Sequence, residues 1–274
     1  MKENGSAKCR VETLNEACSA GEGYCARVFY RLPEAVDYVE IRAKREPLRL
    51  THYAQLAAAE GYVFAPFTLS EQNPFWLIPA DEKIRHKVEI PVTQSPKAER
   101  CEGDMEIKSY ARAFAQCKEM LSDGHLEKIV LSRTATLRMS TPLTAAHRHA
   151  LFLESCHRYP HSFVSLVELP APYGAWLMAT PEVLVETETN GFHTMALAGT
   201  SPVSDESKLL LENWSPKNRR EQACVADYIR KHLTALSTEV RESAVYVRRA
   251  ASLLHLCTDF HLTSSGETTL ASLA

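Results

Sequence analysis

The order of elements written into this chain predicts an α+β fold. Strand-like stretches arrive in runs instead of alternating strictly with helices, which argues against a parallel α/β architecture. Three long segments repeat apolar residues at helical spacing, and the balance of 45% hydrophobic to 24% charged residues is that of a globular protein with a packed core.

Residues 1–23 are polar and rich in small residues, and predict a disordered lead-in with no function of its own. Residues 24–103 form a first part built from short strands at Arg27–Tyr30, Tyr38–Ile41, Tyr62–Ala65 and Phe75–Ile78, interrupted by prolines. A helix is expected over Thr51–Glu60, and Val92–Gly103 reads as a surface connection.

Residues 104–274 carry the remainder as one domain. Ile107, Ala111, Phe114 and Leu121 recur at helical spacing over Asp104–Ser122, and Asp123-Gly124 closes that helix as a C-terminal cap. Over Leu126–Met139 the residues Ile129, Leu131 and Arg133 alternate with Lys128, Val130, Ser132 and Thr134, a period of two that predicts a strand bearing Lys128. A helix over Thr144–Arg158 stops at Tyr159-Pro160 and leads into strands at Ser162–Glu168, Ala175–Ala179, Val183–Glu188 and Phe192–Ala196. Over Asn218–Leu236 the residues Val225, Tyr228, Ile229, Leu233 and Leu236 form one stripe, and the spacing places Glu221 at its opening. Strands at Ala244–Arg248 and Leu256–Leu262 follow.

Bulk properties narrow the partners. A formal net charge of -3 speaks against a general nucleic-acid binder, whose affinity for phosphate backbones rests on clustered Lys and Arg. The first residues lack the apolar core of a secretory signal and no run is long enough to span a bilayer, so the expectation is a cytoplasmic protein with no membrane contact. Eight cysteines are dispersed with no Cys-x-x-Cys pair, which fits reduced thiols better than a zinc site or a disulfide framework.

Several residues could do chemistry, each with a plainer alternative. Lys128 between apolar neighbours is a snorkelling surface side chain or, if desolvated, an amine available as a base near neutral pH. Glu182 after Pro181 is an ordinary strand-end acid or a general acid, the latter requiring surroundings that raise its pKa. Glu221 on an apolar stripe must find a cation, either a neighbouring arginine or a magnesium ion, which takes oxygen ligands. Gly199 and Thr200 after a strand make a turn or approach a ligand closely. His255 is a packed histidine or a site residue.

Taken in order, five blocks resemble the chorismate-utilising enzymes, most nearly their isochorismate synthase branch. They are Lys-Ile-Val-Leu-Ser-Arg (128–133), Ala-Thr-Pro-Glu (179–182), Ala-Leu-Ala-Gly-Thr (196–200), Ser-x-Lys-Asn-x-x-Glu-Gln (215–222) and His-Leu-x-Thr (255–258). The resemblance runs from about Asp104 onward and implies antiparallel β-sheets packed as a sandwich with flanking helices and a site in the cleft. It also implies a magnesium-dependent isomerisation of chorismate, with Lys128 as base towards water at C2 and Glu182 as acid at the C4 hydroxyl. Glu221 would be a magnesium ligand, and Gly199, Thr200 and His255 would line the substrate. No obligate protein partner is implied.

Lys128 stands where anthranilate-forming relatives carry glutamine, and Ala-Leu-Ala-Gly-Thr resembles the isochorismate and salicylate branch. An aminodeoxychorismate or salicylate synthase of the same family remains the alternative. Asn218 and Gln222 stand where Asp and His are common in the family. The family's His-Pro-Thr-Pro block, its carboxylate-holding Arg and Tyr-Gly segment and its second magnesium glutamate do not occur within residues 1–274. The expectation is therefore an incomplete isochorismate synthase that on its own binds magnesium and chorismate poorly, or a non-catalytic remnant.

Overall fold

The computed structural model describes residues 23–58, 60–70, 74–91, 96–101, 104–124, 126–236 and 239–263. The expected lead-in over residues 1–23 therefore lies outside the described residues except for Gly23. The first part of the chain supplies β1 (Ala26–Arg31), β2 (Asp37–Ala43), β3 (Leu48–Leu50), β4 (Gly61–Phe64), β5 (Phe75–Pro79), β6 (Glu82–Lys87) and β7 (Ala98–Cys101). Next come the helix α1 (Asp104–Ser122), β8 (Thr136–Met139), the helix α2 (Ala145–Arg158), β9 (Phe163–Glu168) and β10 (Ala175–Thr180). The last third holds β11 (Glu186–Glu188), β12 (Gly191–Pro202), the helix α3 (Pro216–Leu236), β13 (Val240–Glu242), β14 (Tyr246–Ala250) and β15 (Leu253–Thr263).

Every ladder among the described residues is antiparallel. One five-stranded sheet runs β10-β9-β1-β2-β6, and its two faces are both covered. On one face Ala26, Val28, Ile41, Ala43, Val167 and Leu169 pack with Ile78, Tyr62 and Trp76 of the three-stranded sheet β3-β5-β4, which is the sheet-on-sheet packing the fold class requires. On the other face Phe29, Tyr38, Val164 and Leu166 meet Phe152, Leu153 and Cys156 of α2. Phe152 is fully buried there, and burial of such a ring stabilises by about 1.5–3 kcal/mol.

Local chemistry holds α2 in place. Thr144 caps its first turn by accepting from the His147 N–H, and His147 Nδ1 accepts in return from the Thr144 N–H, a capping box with histidine in the position usually taken by Glu. At the other end the buried Arg31 guanidinium donates to the carbonyls of Tyr159, Pro160 and Ser162, so the chain leaving α2 is tied to β1.

The second large sheet is organised around β15, which pairs β12 along one edge and both β13 and β14 along the other. The helix α3 lies on one face of it, where Ala226 and Leu233 pack against Ala196, Phe260 and Leu262. This sheet and α3 position most of the candidate residues.

Several expectations change. Residues 126–135 form no strand; only Thr136–Met139 does, paired with β7 inside what was expected to be a connection. The alternation over Leu126–Met139 is genuine, but a β-pattern becomes a strand only when a neighbour accepts its hydrogen bonds, and no ladder partner for 126–135 exists among the described residues. The Thr51–Glu60 helix is a 3-10 segment, Tyr53–Ala58. In Val183–Glu188 the ladder covers only Glu186–Glu188, and β14 sits two residues later than Ala244–Arg248. Lastly, α3 buries Gln222, Ala226 and Leu233 rather than a stripe opened by Glu221, whose side chain is 36% exposed. Val225, Ile229 and Leu233 of the expected stripe do pack against the sheet, while Tyr228 and Leu236 are exposed, so the buried face lies less than one residue's turn from the expected one, towards Gln222 and Ala226.

Candidate active site

The site is built where β12 breaks its register. β12 and β15 run in step from Gly191 to Ala198 and then shift, with Gly199 as the extra residue between Ala198 and Thr200. Gly199 has a φ of +73°, and a Cβ added there would lie 3.1 Å from the Asn218 carbonyl oxygen, in the first turn of α3. Glycine is demanded twice over, by the left-handed backbone and by the approach of the helix. Gly199→Ala is therefore expected to lower stability by about 1–3 kcal/mol, read as a fall in the urea midpoint without a change in slope. An unchanged midpoint would mean that the bulge can relax without strain.

His255 lies opposite the bulge. Its Nδ1 is 3.1 Å from the Gly199 carbonyl and 3.2 Å from Thr200 Oγ1. Burial pushes the imidazole pKa down, against a smaller upward pull from the Gly199 carbonyl. A carbonyl can only accept, so Nδ1 carries the proton, and the neutral ring offers Nε2 as an acceptor.

Lys128 lies on the non-ladder segment that follows α1. Its Nζ lies 3.9 Å from Glu221 Oε1, with 23% of the lysine side chain exposed. The same charge acts on Glu182. The Glu182 residue retains a substantial open surface, yet its carboxyl is sufficiently packed that desolvation pushes its pKa up; a hydrogen bond from the Leu197 backbone and the Lys128 charge pull it partly back. Glu182 follows Thr180 and Pro181 at the end of β10, so the first large sheet supplies the acid while α3 supplies Glu221.

The candidates are thus gathered, but not into a single hollow. Lys128 and Glu221 line one of about 1020 Å³ together with Leu131, Lys217, Arg220 and Cys224. Glu182 lines a second, of about 920 Å³, with Tyr228, Ile229 and Leu233 of α3. Gly199, Thr200 and His255 line neither. Among the described residues no group of three His, Cys, Asp or Glu side chains could hold a metal ion by itself.

Two contacts escaped the sequence reading. Gln222 donates from Nε2 to Thr258 Oγ1 at 2.8 Å in the buried seam between α3 and β15, and Asn218 is the neighbour that crowds Gly199. A polar residue in register with Ala226 and Leu233 was the available signal for the first.

Scaffold and site define a class: an antiparallel α+β protein in which Lys128 meets Glu221 near the start of α3 while Glu182, from the end of β10, lines a second hollow farther along the same helix. The chain belongs to the chorismate-binding enzymes, since the family described as "Chorismate binding enzyme" matches residues 73–274. Two curated relatives, from two strains of Mycobacterium tuberculosis and both named "Putative isochorismate synthase MenF", are 27% identical over 234 residues. The match takes in 81% of this chain and 61% of each relative, so the chain spans about three fifths of their length. Among solved structures, the "putative 2,3-dihydroxybenzoate-specific isochorismate synthase, DhbC" of Bacillus anthracis superposes with a TM-score of 0.72 at 18% identity, covering 93% of this chain and 72% of the other. MenF of Escherichia coli, the menaquinone-specific isochorismate synthase, gives 0.68 at 15% identity, covering 90% and 66%. These two likenesses bear on the fold. No helix among the described residues is long and apolar enough to cross a membrane.

Proposed function

We propose that this chain is an isochorismate synthase, converting chorismate to isochorismate by adding water at C2 and expelling the C4 hydroxyl. The observation that supports the reading is the Lys128 amine 3.9 Å from Glu221, with its charge also felt at Glu182. Lys128 takes the proton from the incoming water. Glu182, its pKa raised so that it keeps its proton to higher pH, delivers one to the departing hydroxyl. Water enters, water leaves, and the net change is an isomerisation. The names of the curated relatives support the same branch.

Magnesium is part of this proposal. The donor chemistry fits in one respect: Glu221 offers a hard oxygen, and magnesium is commonly held by one or two carboxylates plus waters and substrate oxygens. Glu221 would hold it, and the substrate carboxylate would help complete its shell. The ion would supply charge neutralisation for a dianionic substrate. His255, Gly199 and Thr200 would border the ring, and the branch read from Lys128 disfavours ammonia as nucleophile.

Calorimetry and product analysis test the reading together. Titrating chorismate into the chain should give weak heat that depends on magnesium, in keeping with the poor binding expected of this chain on its own, and chromatography should find isochorismate as whatever product forms, with or without ammonium. An aminated product would assign the aminodeoxychorismate alternative, salicylate with pyruvate would assign the salicylate one, and absence of magnesium-linked heat would leave a non-catalytic remnant.

A further inference from the structure

We propose that the buried Gln222–Thr258 hydrogen bond sets the rotation of α3, and through it the position of Glu221 relative to Lys128. The inference rests on the reading of Glu221 as a site residue and adds Gln222 and Thr258 as positioning residues.

The starting point is a polar pair where apolar packing would serve stability as well. Gln222 is 3% exposed and Thr258 is fully buried, and the two satisfy one another at 2.8 Å. The rest of the seam is apolar, with Ala226 and Leu233 of α3 against Ala196, Phe260 and Leu262. Burying an amide and a hydroxyl carries a desolvation cost that a hydrogen bond offsets, and replacing both partners by apolar groups of similar shape is often nearly neutral. The pair's distinctive contribution is direction.

Apolar contacts tolerate sliding because the hydrophobic effect is non-directional. A hydrogen bond with a single partner does not. Gln222 sits immediately after Glu221, so one residue's turn, about 100°, separates the side chain that locks into β15 from the one that faces Lys128. Four residues earlier the same helix already touches β12, where Asn218 crowds Gly199. Two fixed points on one helix, one against each central strand of the sheet, leave little freedom for rotation or translation. Glu221 is 36% exposed and its recorded ion pair spans 3.9 Å, so its own contacts hold it loosely. The neighbouring latch must supply the aim.

The test uses Thr258→Val, which removes the hydroxyl at nearly constant volume, Thr258→Ser, which keeps it, and Gln222→Leu. Circular dichroism and the thermal midpoint monitor folding, calorimetry measures magnesium binding in the presence of chorismate, and kinetics separates kcat from KM. Thr258→Val and Gln222→Leu should fold, bind magnesium about tenfold more weakly and lose about tenfold in kcat. Thr258→Ser should restore both, and the double variant Gln222→Leu/Thr258→Val should be no worse than either single one. Magnesium binding and kcat unchanged in folded Thr258→Val would overturn the positioning role, as would a loss that Thr258→Ser fails to repair. If the unaltered chain shows neither magnesium-linked binding nor turnover, the functional reading itself is what fails.

Discussion

Replacing Lys128 by alanine is expected to reduce the turnover of chorismate by about 10²–10⁴-fold, the span typical of losing a positioned general base. Stability should be little affected, because the segment around Lys128 contributes no ladder hydrogen bonds and the lysine itself remains partly exposed. Glu182→Gln should cause a loss of the same order for the complementary reason, that an amide cannot give up the proton the departing hydroxyl needs. The two residues are also coupled, and the coupling has a sign. Desolvation raises the Glu182 pKa, and the Lys128 charge partly opposes that rise. Activity that depends on protonated Glu182 is retained below its pKa and declines as pH rises through it. Lys128 can act as base only after losing its own proton, and in the resting protein its charge is one of the two influences opposing the rise at Glu182; without it, the alkaline limb of residual kcat/KM in Lys128→Ala should move to higher pH. Glu182→Gln should abolish that limb. Rates within a few-fold of the unaltered chain for either substitution would show that the role assigned to that residue is wrong, and a limb moving to lower pH in Lys128→Ala would show that the two groups do not interact as placed.

The parts of the fold that could be read from the sequence are those whose signal is local. α2 and α3 declare themselves by apolar spacing, β9 by its Phe163, Val164 and Val167, and β15 by the apolar residues around Leu256. β6 carries Glu82, Lys83, Arg85, His86 and Lys87 around a single Ile84, so periodicity gives no hint of a strand, yet it closes the sheet against β2. Charged residues of this kind suit an edge, where they discourage pairing with other chains. The segment around Lys128 fails in the opposite sense: it alternates convincingly, but its ladder depends on a partner that sequence pattern cannot supply.

The site divides along the same line. The grouping of Lys128, Glu182 and Glu221 rested on a resemblance spread over distant blocks; the structure pairs the lysine with Glu221 and leaves Glu182 in a neighbouring hollow. The face on which Glu221 lies did not follow: of the expected stripe Val225, Ile229 and Leu233 pack inward but Tyr228, 64% exposed, and Leu236 do not, which turns the buried face towards Gln222 and away from Glu221. Periodicity gives the existence of a face; packing against Ala196 and Phe260 gives its azimuth. Gln222 then becomes a core residue and Glu221 a cleft residue, an exchange of roles that matters for chemistry far more than for helix formation.

The largest effect on stability should come from a carboxylate remote from these reactions. Glu40 on β2 is 2% exposed and accepts from Arg27 at 2.6 Å, from Arg42 at 2.8 Å and from His86 at 3.0 Å. Burial alone would raise its pKa, but the hydrogen bonds from Arg42, Arg27 and His86, with the Arg27 charge, hold it at about 2. The fall from the ordinary 4.5 corresponds to about 3 kcal/mol in favour of the folded state. Removing one member of a buried ionic cluster typically costs about 3–5 kcal/mol, since the partners remain desolvated without a counter-charge. Glu40→Ala should therefore lose about 3 kcal/mol at neutral pH, the partial exposure of both arginines placing it at the lower end of that range. The contribution is complete above the unfolded pKa of 4.5 and is lost as pH falls towards about 2, because the unfolded chain takes up the proton first. Urea unfolding of the native chain and of Glu40→Gln, compared between pH 7 and pH 4, should show the gap between them narrowing by about 1 kcal/mol. A gap that stays constant over that interval would mean the Glu40 carboxyl titrates alike in both states, and that the two arginines do not hold it ionised.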